Sequence, residues 1–204
     1  MTGKKVPMAF AGCVGDDENG KILAARCAEA GVVAHYLVDK ATPTGKCAVL
    51  VVDSERCLIT DLQAANNYTA AHLQEAATQK LLNDAKIVYS AGFFLTSGGP
   101  TCTAILGKHC AATGARFCLN ISAPFIAQFF TDALDATLPY VDIIFGNETE
   151  AAALGEKKGW GTDPATVALK RATPRDESER DMVHILQKEL NKKNLLISEK
   201  ERRA

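Results

Sequence analysis

The sequence predicts an α/β fold in which a small antiparallel β flap precedes a parallel sheet with helical crossovers. After Tyr68, short apolar runs alternate with segments of helical composition. A helix between consecutive strands is typical of parallel pairing. Before Tyr68, β-branched runs are joined by turn residues, with no helix between them, which favours antiparallel pairing.

The first part of the chain is predicted to contain four strands and one helix. The helix covers residues 19–30 and ends at Gly31. The last three strands are predicted to form one antiparallel sheet, so that about residues 31–66 contribute to the flap. Two glycine-containing segments, residues 12–16 and 45–47, lack nucleotide-binding spacing and are predicted to be turns. The predicted strands span residues 6–11, 32–38, 47–52 and 57–62.

The second part is predicted to alternate strand and helix up to about residue 171. Predicted helices span residues 70–82, 100–113, 124–136 and 148–154, and predicted strands span residues 86–90, 116–119 and 141–145. Residues 1–171 would then form one domain. Residues 172–204 are rich in charge, and the helical spacing of Val183, Leu186 and Leu190 predicts a solvated helical tail.

Composition excludes several classes of protein. The formal net charge of −1 argues against a general nucleic-acid binder, which needs many cations to neutralise phosphates. No apolar run is long enough to span a bilayer. The seven cysteines and four histidines are scattered, without C-x-x-C pairs or metal-ligand spacing. These features predict a protein without membrane or nucleic-acid partners in a reducing compartment, the cytoplasm, with the nucleus as a second location.

The segment from Val141 to Glu150 is the most informative motif. An apolar strand runs into Asn147, and Glu150 follows three residues later at the start of a helix. One interpretation is a capping box, in which the two side chains satisfy the N–H groups at the start of the helix. Another places Glu150 beyond the carboxyl end of a parallel strand, where it could hold Mg²⁺ beside a phosphate. The spacing alone is compatible with either role, or with both.

Aromatic residues follow two other predicted strands. Gly92-Phe93-Phe94 comes after one strand and Ser122-Ala123-Pro124-Phe125 after the next. Each could be ordinary core packing, with Pro124 in the first turn of a helix. Together, two neighbouring strand ends that carry aromatic rings make an aromatic-lined pocket for a purine more plausible.

Five segments in order resemble eukaryotic adenosine kinases of the ribokinase-like carbohydrate kinase family, over roughly residues 8 to 170. They are Pro43-Thr44-Gly45-Lys46-Cys47, Ala64-Ala65-Asn66, Ala91-Gly92-Phe93-Phe94-Leu95-Thr96, Asn120-Ile121-Ser122-Ala123-Pro124-Phe125 and Phe145-Gly146-Asn147-Glu148-Thr149-Glu150. The resemblance implies a ribokinase-like α/β/α core with a β lid, and ATP-dependent phosphorylation of the adenosine 5′-hydroxyl to AMP in purine salvage. Adenosine and ATP would be the small-molecule partners, with Mg²⁺ as cofactor.

The resemblance also implies roles for individual residues. Arg56 would approach the transferred phosphate, while Asn147 and Glu150 would position phosphate and Mg²⁺. Thr60-Asp61 departs from the family pattern, which leaves the contacts of the lid open. The residues that resemble the nucleoside pocket are Cys47, Leu58, Leu62, Phe94 and Phe125.

Two features of such kinases have no counterpart in the 204 residues. One is a longer initial segment with substrate-binding residues, and the other is a Gly-Ala-Gly-Asp loop that carries the catalytic base. The fold is therefore expected to be incomplete at both ends, and the chain alone inactive. A complete enzyme would be a monomer, whereas this chain could self-associate through open strand edges. The alternative is a non-catalytic nucleoside-binding or interaction protein derived from such a kinase.

Overall fold

The computed structural model describes residues 7–53, 55–164 and 167, together with the backbone of residues 183–190 and 193–200. The side chains of Glu55 and Arg56 lie outside this description. The chain divides into two units, Met1–Leu81 and Leu82–Ala204. None of the described helices is both long enough and apolar enough to cross a bilayer.

The first unit begins with a parallel pair of strands. β1 (Met8–Gly15) pairs in parallel with β2 (Val32–Asp39), and α1 (Glu18–Glu29) lies between them in the chain. The prediction that residues 32–38 belong to the antiparallel sheet is therefore wrong. The predicted helix, α1, supplies the crossover that a parallel pair needs. It lets β2 pair with β1, which precedes it, instead of with the strand that follows it in the chain. The predicted turn at Gly12 is also wrong, because β1 continues through it to Gly15.

The antiparallel flap is a two-stranded hairpin. β3 (Lys46–Val52) pairs with β4 (Glu55–Asp61), from Lys46 opposite Asp61 to Val52 opposite Glu55. Every residue of β3 is exposed, although six of its seven residues are hydrophobic. After β4 come a 3-10 helix (Gln63–Asn67) and two short helices, α2 (Ala70–Gln74) and α3 (Ala76–Asp84). The single helix predicted over residues 70–82 is thus broken at Glu75.

The second unit contains a five-stranded sheet with the order β5-β6-β7-β9-β8. β5, β6 and β7 are parallel neighbours, as the alternation of strands and helices predicts, which confirms the α/β class. The strands are β5 (Ile87–Ala91), β6 (Arg116–Asn120), β7 (Ile143–Gly146), β8 (Val183–Leu190) and β9 (Lys193–Lys200). The α-helices are α4 (Gly99–Thr113), α5 (Pro124–Phe129), α6 (Thr131–Thr137) and α7 (Glu148–Lys158), and 3-10 helices cover Gly92–Thr96 and Leu138–Tyr140.

The charged tail is not helical where the structure describes it. β8 and β9 pair antiparallel with each other, and β9 pairs antiparallel with β7, with Ile143 opposite Glu199. The predicted helix is wrong here because β7 has backbone N–H and C=O groups on the side away from β6, and β9 satisfies them. The spacing of apolar residues does not show which backbone N–H and C=O groups need hydrogen-bond partners. Residues 172–182, and the predicted boundary at 171, lie outside the described residues.

The core of the second unit lies between β6 and the helices that follow it. Phe117, Leu119, Ile126 and Leu134 have no exposed surface. Two buried hydroxyls, of Thr103 in α4 and Thr137 in α6, lie 3.0 Å apart and form a hydrogen bond. Burial of these side chains fixes α4, α5 and α6 against the sheet, and so fixes where each strand ends.

The start of α1 depends on a network around Asp17. Its Oδ1 accepts the Gly20 N–H at 2.9 Å and the Thr44 hydroxyl at 2.6 Å, while its Oδ2 accepts the Thr44 N–H at 2.8 Å. The Thr44 hydroxyl in turn accepts the Gly15 N–H at 2.9 Å. These bonds, the one from the Thr44 hydroxyl foremost, lower the pKa of Asp17 to about 2 from an ordinary 3.8. One carboxylate thus joins the end of β1, the start of α1 and the loop before β3.

We expect Asp17→Asn to destabilise the chain at neutral pH and to weaken its sensitivity to acid. A carboxylate with a lowered pKa stabilises the fold above its unfolded pKa, and that stabilisation is lost as the pH falls from about 4 to about 2. Urea unfolding across this range should therefore show a smaller change in unfolding free energy for Asp17→Asn than for the wild type. Glu18→Gln, which removes a charge from the same helix turn, is the control. An equal acid dependence in Asp17→Asn and the wild type would contradict the assignment.

Candidate functional site

The carboxyl ends of β5, β6 and β7 lie along one edge of the sheet. The register places Ala91 opposite Asn120 and Asn120 opposite Phe145, so the three strands end at nearly the same level. The Ile121 N–H continues the pairing by donating to the Phe145 carbonyl at 2.9 Å. Open α/β sheets bind ligands beyond the carboxyl ends of their strands. This edge is therefore the candidate site of the second unit.

The ends of β5 and β6 approach each other closely. A Cβ atom at Gly92 would lie 2.3 Å from the Ile121 carbonyl oxygen, so only glycine fits there. The Gly92 N–H donates to the Ser122 hydroxyl at 2.9 Å, and the Ser122 N–H donates to Asn120 Oδ1 at 2.7 Å. Ser122 has a φ of 71°, which is strained for a residue with a side chain. Strain of this kind is concentrated at functional sites, which fits a binding role for this edge.

Two exposed aromatic rings follow these strand ends. The rings of Phe93 and Phe125 have centroids 6.0 Å apart, and the two side chains are 46% and 38% exposed. Phe125 also contacts Phe130 edge to face, with centroids 6.3 Å apart. Phe94, which the resemblance selects, is half-buried. The strand-end pattern includes both Phe93 and Phe94, whereas the resemblance selects Phe94 alone; the 3-10 helix after β5 decides which of the two consecutive rings turns outward.

Asn147 and Glu150 form the capping box at the start of α7. Asn147 Oδ1 accepts the Glu150 N–H at 2.9 Å and the Thr149 hydroxyl at 2.7 Å. Glu150 Oε2 accepts the Asn147 N–H at 3.1 Å. The helix ends at Gly159 in the left-handed conformation, with a φ of 66°. The capping interpretation of the motif is confirmed.

The position of the Glu150 carboxylate nevertheless makes its ionisation unfavourable. Its side chain is buried, and burial raises its pKa, an effect that the Asn147 N–H offsets in part. A Cβ at Gly146 would lie 3.2 Å from Glu150 Oε2 and from Ile121 Cδ1, so glycine leaves the space that the carboxylate fills. Among the described side chains, no lysine or arginine forms an ion pair with Glu150. A buried carboxylate without a cation is suited to receive one.

The remaining predicted site residues belong to the first unit. Cys47 lies opposite Thr60 and Leu58 opposite Val49, which places Cys47 and Leu58 on the same face of the hairpin. Both are exposed, and Leu62, just after β4, is 40% exposed. Arg56 lies opposite Val51 in the backbone register, and its side chain is outside the described residues. The register thus places Cys47, Val49 and Leu58 on one face of the hairpin.

We expect Glu150→Gln to be at least as stable as the wild type at pH 7. Because burial raises the pKa of Glu150 above its ordinary 4.5, the folded state binds more protons than the unfolded state, and the unfolding free energy falls as the pH rises through that range. Glutamine keeps an oxygen that can accept the Asn147 N–H but never ionises. Urea unfolding at several pH values should show a flatter profile for this variant.

Glu148→Gln, in the same turn of α7, controls for the loss of a negative charge at the start of the helix. If Glu150→Gln is less stable than Glu148→Gln at pH 7 by more than about 1 kcal/mol, the carboxylate stabilises the fold and its burial is not a cost.

Comparison with known protein families gives one match over nearly the whole chain. The family described as pfkB family carbohydrate kinase matches residues 3–199. An adenosine kinase from Dictyostelium discoideum is 44% identical over 172 residues, which are 84% of this chain and 50% of the relative. Adenosine kinase 1 from Arabidopsis thaliana is 44% identical over 163 residues, or 79% of this chain and 47% of the relative. The chain spans about half the length of the curated relatives it matches.

Solved structures agree with this fold. An Anopheles gambiae adenosine kinase, in complex with P1,P4-di(adenosine-5) tetraphosphate, superposes with a TM-score of 0.79 at 38% identity, covering 86% of this chain and 53% of the other. A Schistosoma mansoni adenosine kinase in complex with adenosine superposes with a TM-score of 0.78 at 32% identity, covering 87% of this chain and 52% of the other.

Proposed function

Since this chain belongs to the pfkB family of carbohydrate kinases, we propose that it functions in an adenosine kinase. The reaction would transfer the γ-phosphoryl group of ATP to the 5′-hydroxyl of adenosine and give AMP and ADP, a step of purine salvage. The relatives named adenosine kinase support this choice of substrate within the family. So does a similar structure whose name includes bound adenosine.

The observation that carries the proposal is that aromatic rings and a buried carboxylate lie along one edge of the sheet. Phe93 and Phe125 offer exposed ring faces after β5 and β6, and Glu150 offers a buried carboxylate after β7. A purine base is bound by stacking on aromatic rings. A phosphate with its cation is bound by carboxylate oxygens and helix N-termini. A nucleoside and a phosphate donor need both kinds of surface side by side.

Each residue has a role in this proposal. Phe125, with Phe93 and Phe94, would hold the adenine. Within the first unit, Cys47 and Leu58 of the hairpin and Leu62 just after it would be substrate-binding residues of a lid. Arg56 would approach the transferred phosphate. Asn147 would keep the start of α7 in place, so that the N–H groups in the first turn of this helix face the phosphates. The roles of Cys47, Leu58, Leu62 and Arg56 rest on the resemblance of their segments to adenosine kinases, and those of the sheet edge rest on the geometry of the second unit.

Glu150 fits the requirements for binding Mg²⁺ or one of its water ligands. Its carboxylate is buried, and its hydrogen bond to the Asn147 N–H provides no positive charge. Mg²⁺ prefers carboxylate oxygen and usually keeps several waters. When bound, the ion would neutralise charge on the transferred phosphoryl group. Glu150 would orient the ion through a carboxylate that the capping box holds in one position.

Chemistry also requires a group that takes the proton of the 5′-hydroxyl as its oxygen attacks the γ-phosphorus and the bond to ADP breaks. Glu150 is occupied as a cap, and Asp17 is engaged with Thr44. The 204 residues contain no Gly-Ala-Gly-Asp segment. General-base assistance contributes on the order of 10² to 10⁴ in rate, and an oxyanion donor roughly 10² to 10³. We therefore propose that this chain binds substrate but needs a further segment for turnover.

The purified 204-residue chain is expected to form no measurable AMP from ATP, Mg²⁺ and adenosine. A chimera in which the initial segment and the second half of the Dictyostelium discoideum adenosine kinase flank this chain is expected to form AMP. Glu150→Gln in the chimera should lower kcat, and Glu148→Gln should not. AMP formation by the short chain above a Glu150→Ala background would contradict the placement of the base. A folded but inactive chimera would contradict the kinase proposal.

Adenosine binding gives a separate test of the aromatic site. Removing a base-stacking ring typically costs about 1–3 kcal/mol, so Phe125→Ala should weaken adenosine binding at least about fivefold in calorimetry. Phe129→Ala is the matched control, because Phe129 lies in the same helix and is 78% exposed. Equal effects of the two substitutions, or no effect of either, would contradict a stacking role for Phe125.

A second candidate function is a non-catalytic nucleoside-binding protein, favoured by the exposed Phe93–Phe125 pair in a chain without the Gly-Ala-Gly-Asp segment. Adenosine binding by a chain whose chimera stays inactive would favour it. Absence of adenosine binding up to millimolar concentration, with a folded circular dichroism spectrum, would exclude it.

A further inference from the structure

Three side chains of the first unit lie close enough to share a metal ion. His35 is in β2, His72 is in α2 and Glu75 directly follows α2. One ligand atom from each lies within 4.8 Å of the others, and no other such group occurs among the described residues. The sequence pattern does not reveal this group, because β2 is brought to α2 only by the fold.

The donor atoms converge on the Glu75 carboxylate. Glu75 Oε2 is 3.9 Å from His35 Nε2 and 3.9 Å from His72 Nε2. The two imidazole rings are stacked, with centroids 4.6 Å apart and an angle of 24° between their planes. Both Nε2 atoms are therefore at the same distance from one carboxylate oxygen.

His35 Nε2 has an unmet demand for a partner. The atom is buried and has no hydrogen-bond partner. A buried polar atom left without a partner costs about 1–3 kcal/mol, so native proteins seldom retain one without a reason. A metal ion bound at this nitrogen would remove the cost.

The surroundings orient His72 for ligation. Its Nδ1 lies 3.1 Å from the Tyr68 hydroxyl, and the Tyr68 ring packs edge to face against the imidazole at 5.2 Å. A histidine that binds a metal ion through one nitrogen typically has the other nitrogen hydrogen-bonded. This contact leaves Nε2 of His72 available on the side of Glu75.

The break between α2 and α3 places Glu75 at the site. Glu75 has an extended backbone, with a ψ of 143°, and so leaves the helix. The carbonyl groups at the break are satisfied by side chains that come later. Thr78 Oγ1 donates to the His72 carbonyl at 2.7 Å, and Gln79 Nε2 donates to the Leu73 carbonyl at 2.7 Å. The break is thus a stable part of the fold, and it holds the carboxylate beside the two rings.

We infer that His35, His72 and Glu75 form a binding site for a divalent transition metal ion, with Zn²⁺ the best match. Two imidazoles and one carboxylate are a known zinc ligand set that leaves a fourth position for water. Zinc–nitrogen and zinc–oxygen bonds of about 2.0–2.2 Å would bring the donor atoms to roughly 3.4 Å apart. The 55% exposed Glu75 side chain can shorten the two 3.9 Å separations, and a rotation of the stacked imidazole rings would bring their Nε2 atoms to the same ion. Mg²⁺ disfavours imidazole ligands, which distinguishes this site from the one proposed at Glu150.

Zinc binding can be measured on the whole 204-residue chain by competition with a chromogenic chelator. We expect one Zn²⁺ per chain, and at least tenfold weaker binding in His35→Gln and in Glu75→Gln. His109→Gln is the matched control, because His109 lies in α4 of the second unit. Unchanged affinity in His35→Gln and Glu75→Gln would overturn the inference.

Substitution with Co²⁺ in the wild-type chain gives a test that does not depend on how variants fold. Exposed Cys47 and Cys57 are competing ligands, and a cobalt–thiolate bond produces an intense charge-transfer band. We expect a visible cobalt spectrum without that band. A thiolate band, or no cobalt spectrum at protein-equivalent concentration, would overturn the inference.

Discussion

The hydrogen bond from the Gly92 N–H to the Ser122 hydroxyl sets the geometry of the candidate site. It can form only because position 92 has no Cβ, since such an atom would lie 2.3 Å from the Ile121 carbonyl oxygen. It also requires Ser122 to adopt a left-handed backbone. That conformation turns the chain sharply at the end of β6, so that Phe125 follows beside Phe93. The aromatic pair therefore depends on one close backbone approach between neighbouring parallel strands.

At the end of β7, a glycine again makes room for a neighbouring group, here the carboxylate of Glu150. Gly146 leaves room for the Glu150 side chain, and the capping box holds that side chain against the start of α7. Burial makes ionisation of Glu150 unfavourable, as its raised pKa shows. A cap alone could be made at lower cost, for example by an exposed side chain. The cost is understandable if the carboxylate also binds a cation in the working protein.

In the first unit, one polar group has all its hydrogen-bond partners and another has none. Asp17 satisfies donors from Gly20 and from Thr44 in a loop distant in sequence, so its charge is fully used within the fold. The histidine pair is the opposite case, because His35 Nε2 is buried and has no hydrogen-bond partner. The Asp17 network is complete and structural, whereas the buried nitrogen of His35 supports the inferred metal site.

The sequence by itself determined the α/β class, the order of most helices and strands, and the capping box of Asn147 and Glu150. These features depend on local periodicity and on side chains three residues apart, which a linear pattern records. Tertiary structure decided which strands pair. It joined β2 to β1, where pairing within the antiparallel sheet was predicted, and β9 to β7, where a helical tail was predicted, because backbone hydrogen-bonding partners have no sequence signature. It also decided that Phe93 lies beside Phe125 and that His35 meets His72, since contacts between residues distant in sequence arise only when the elements pack.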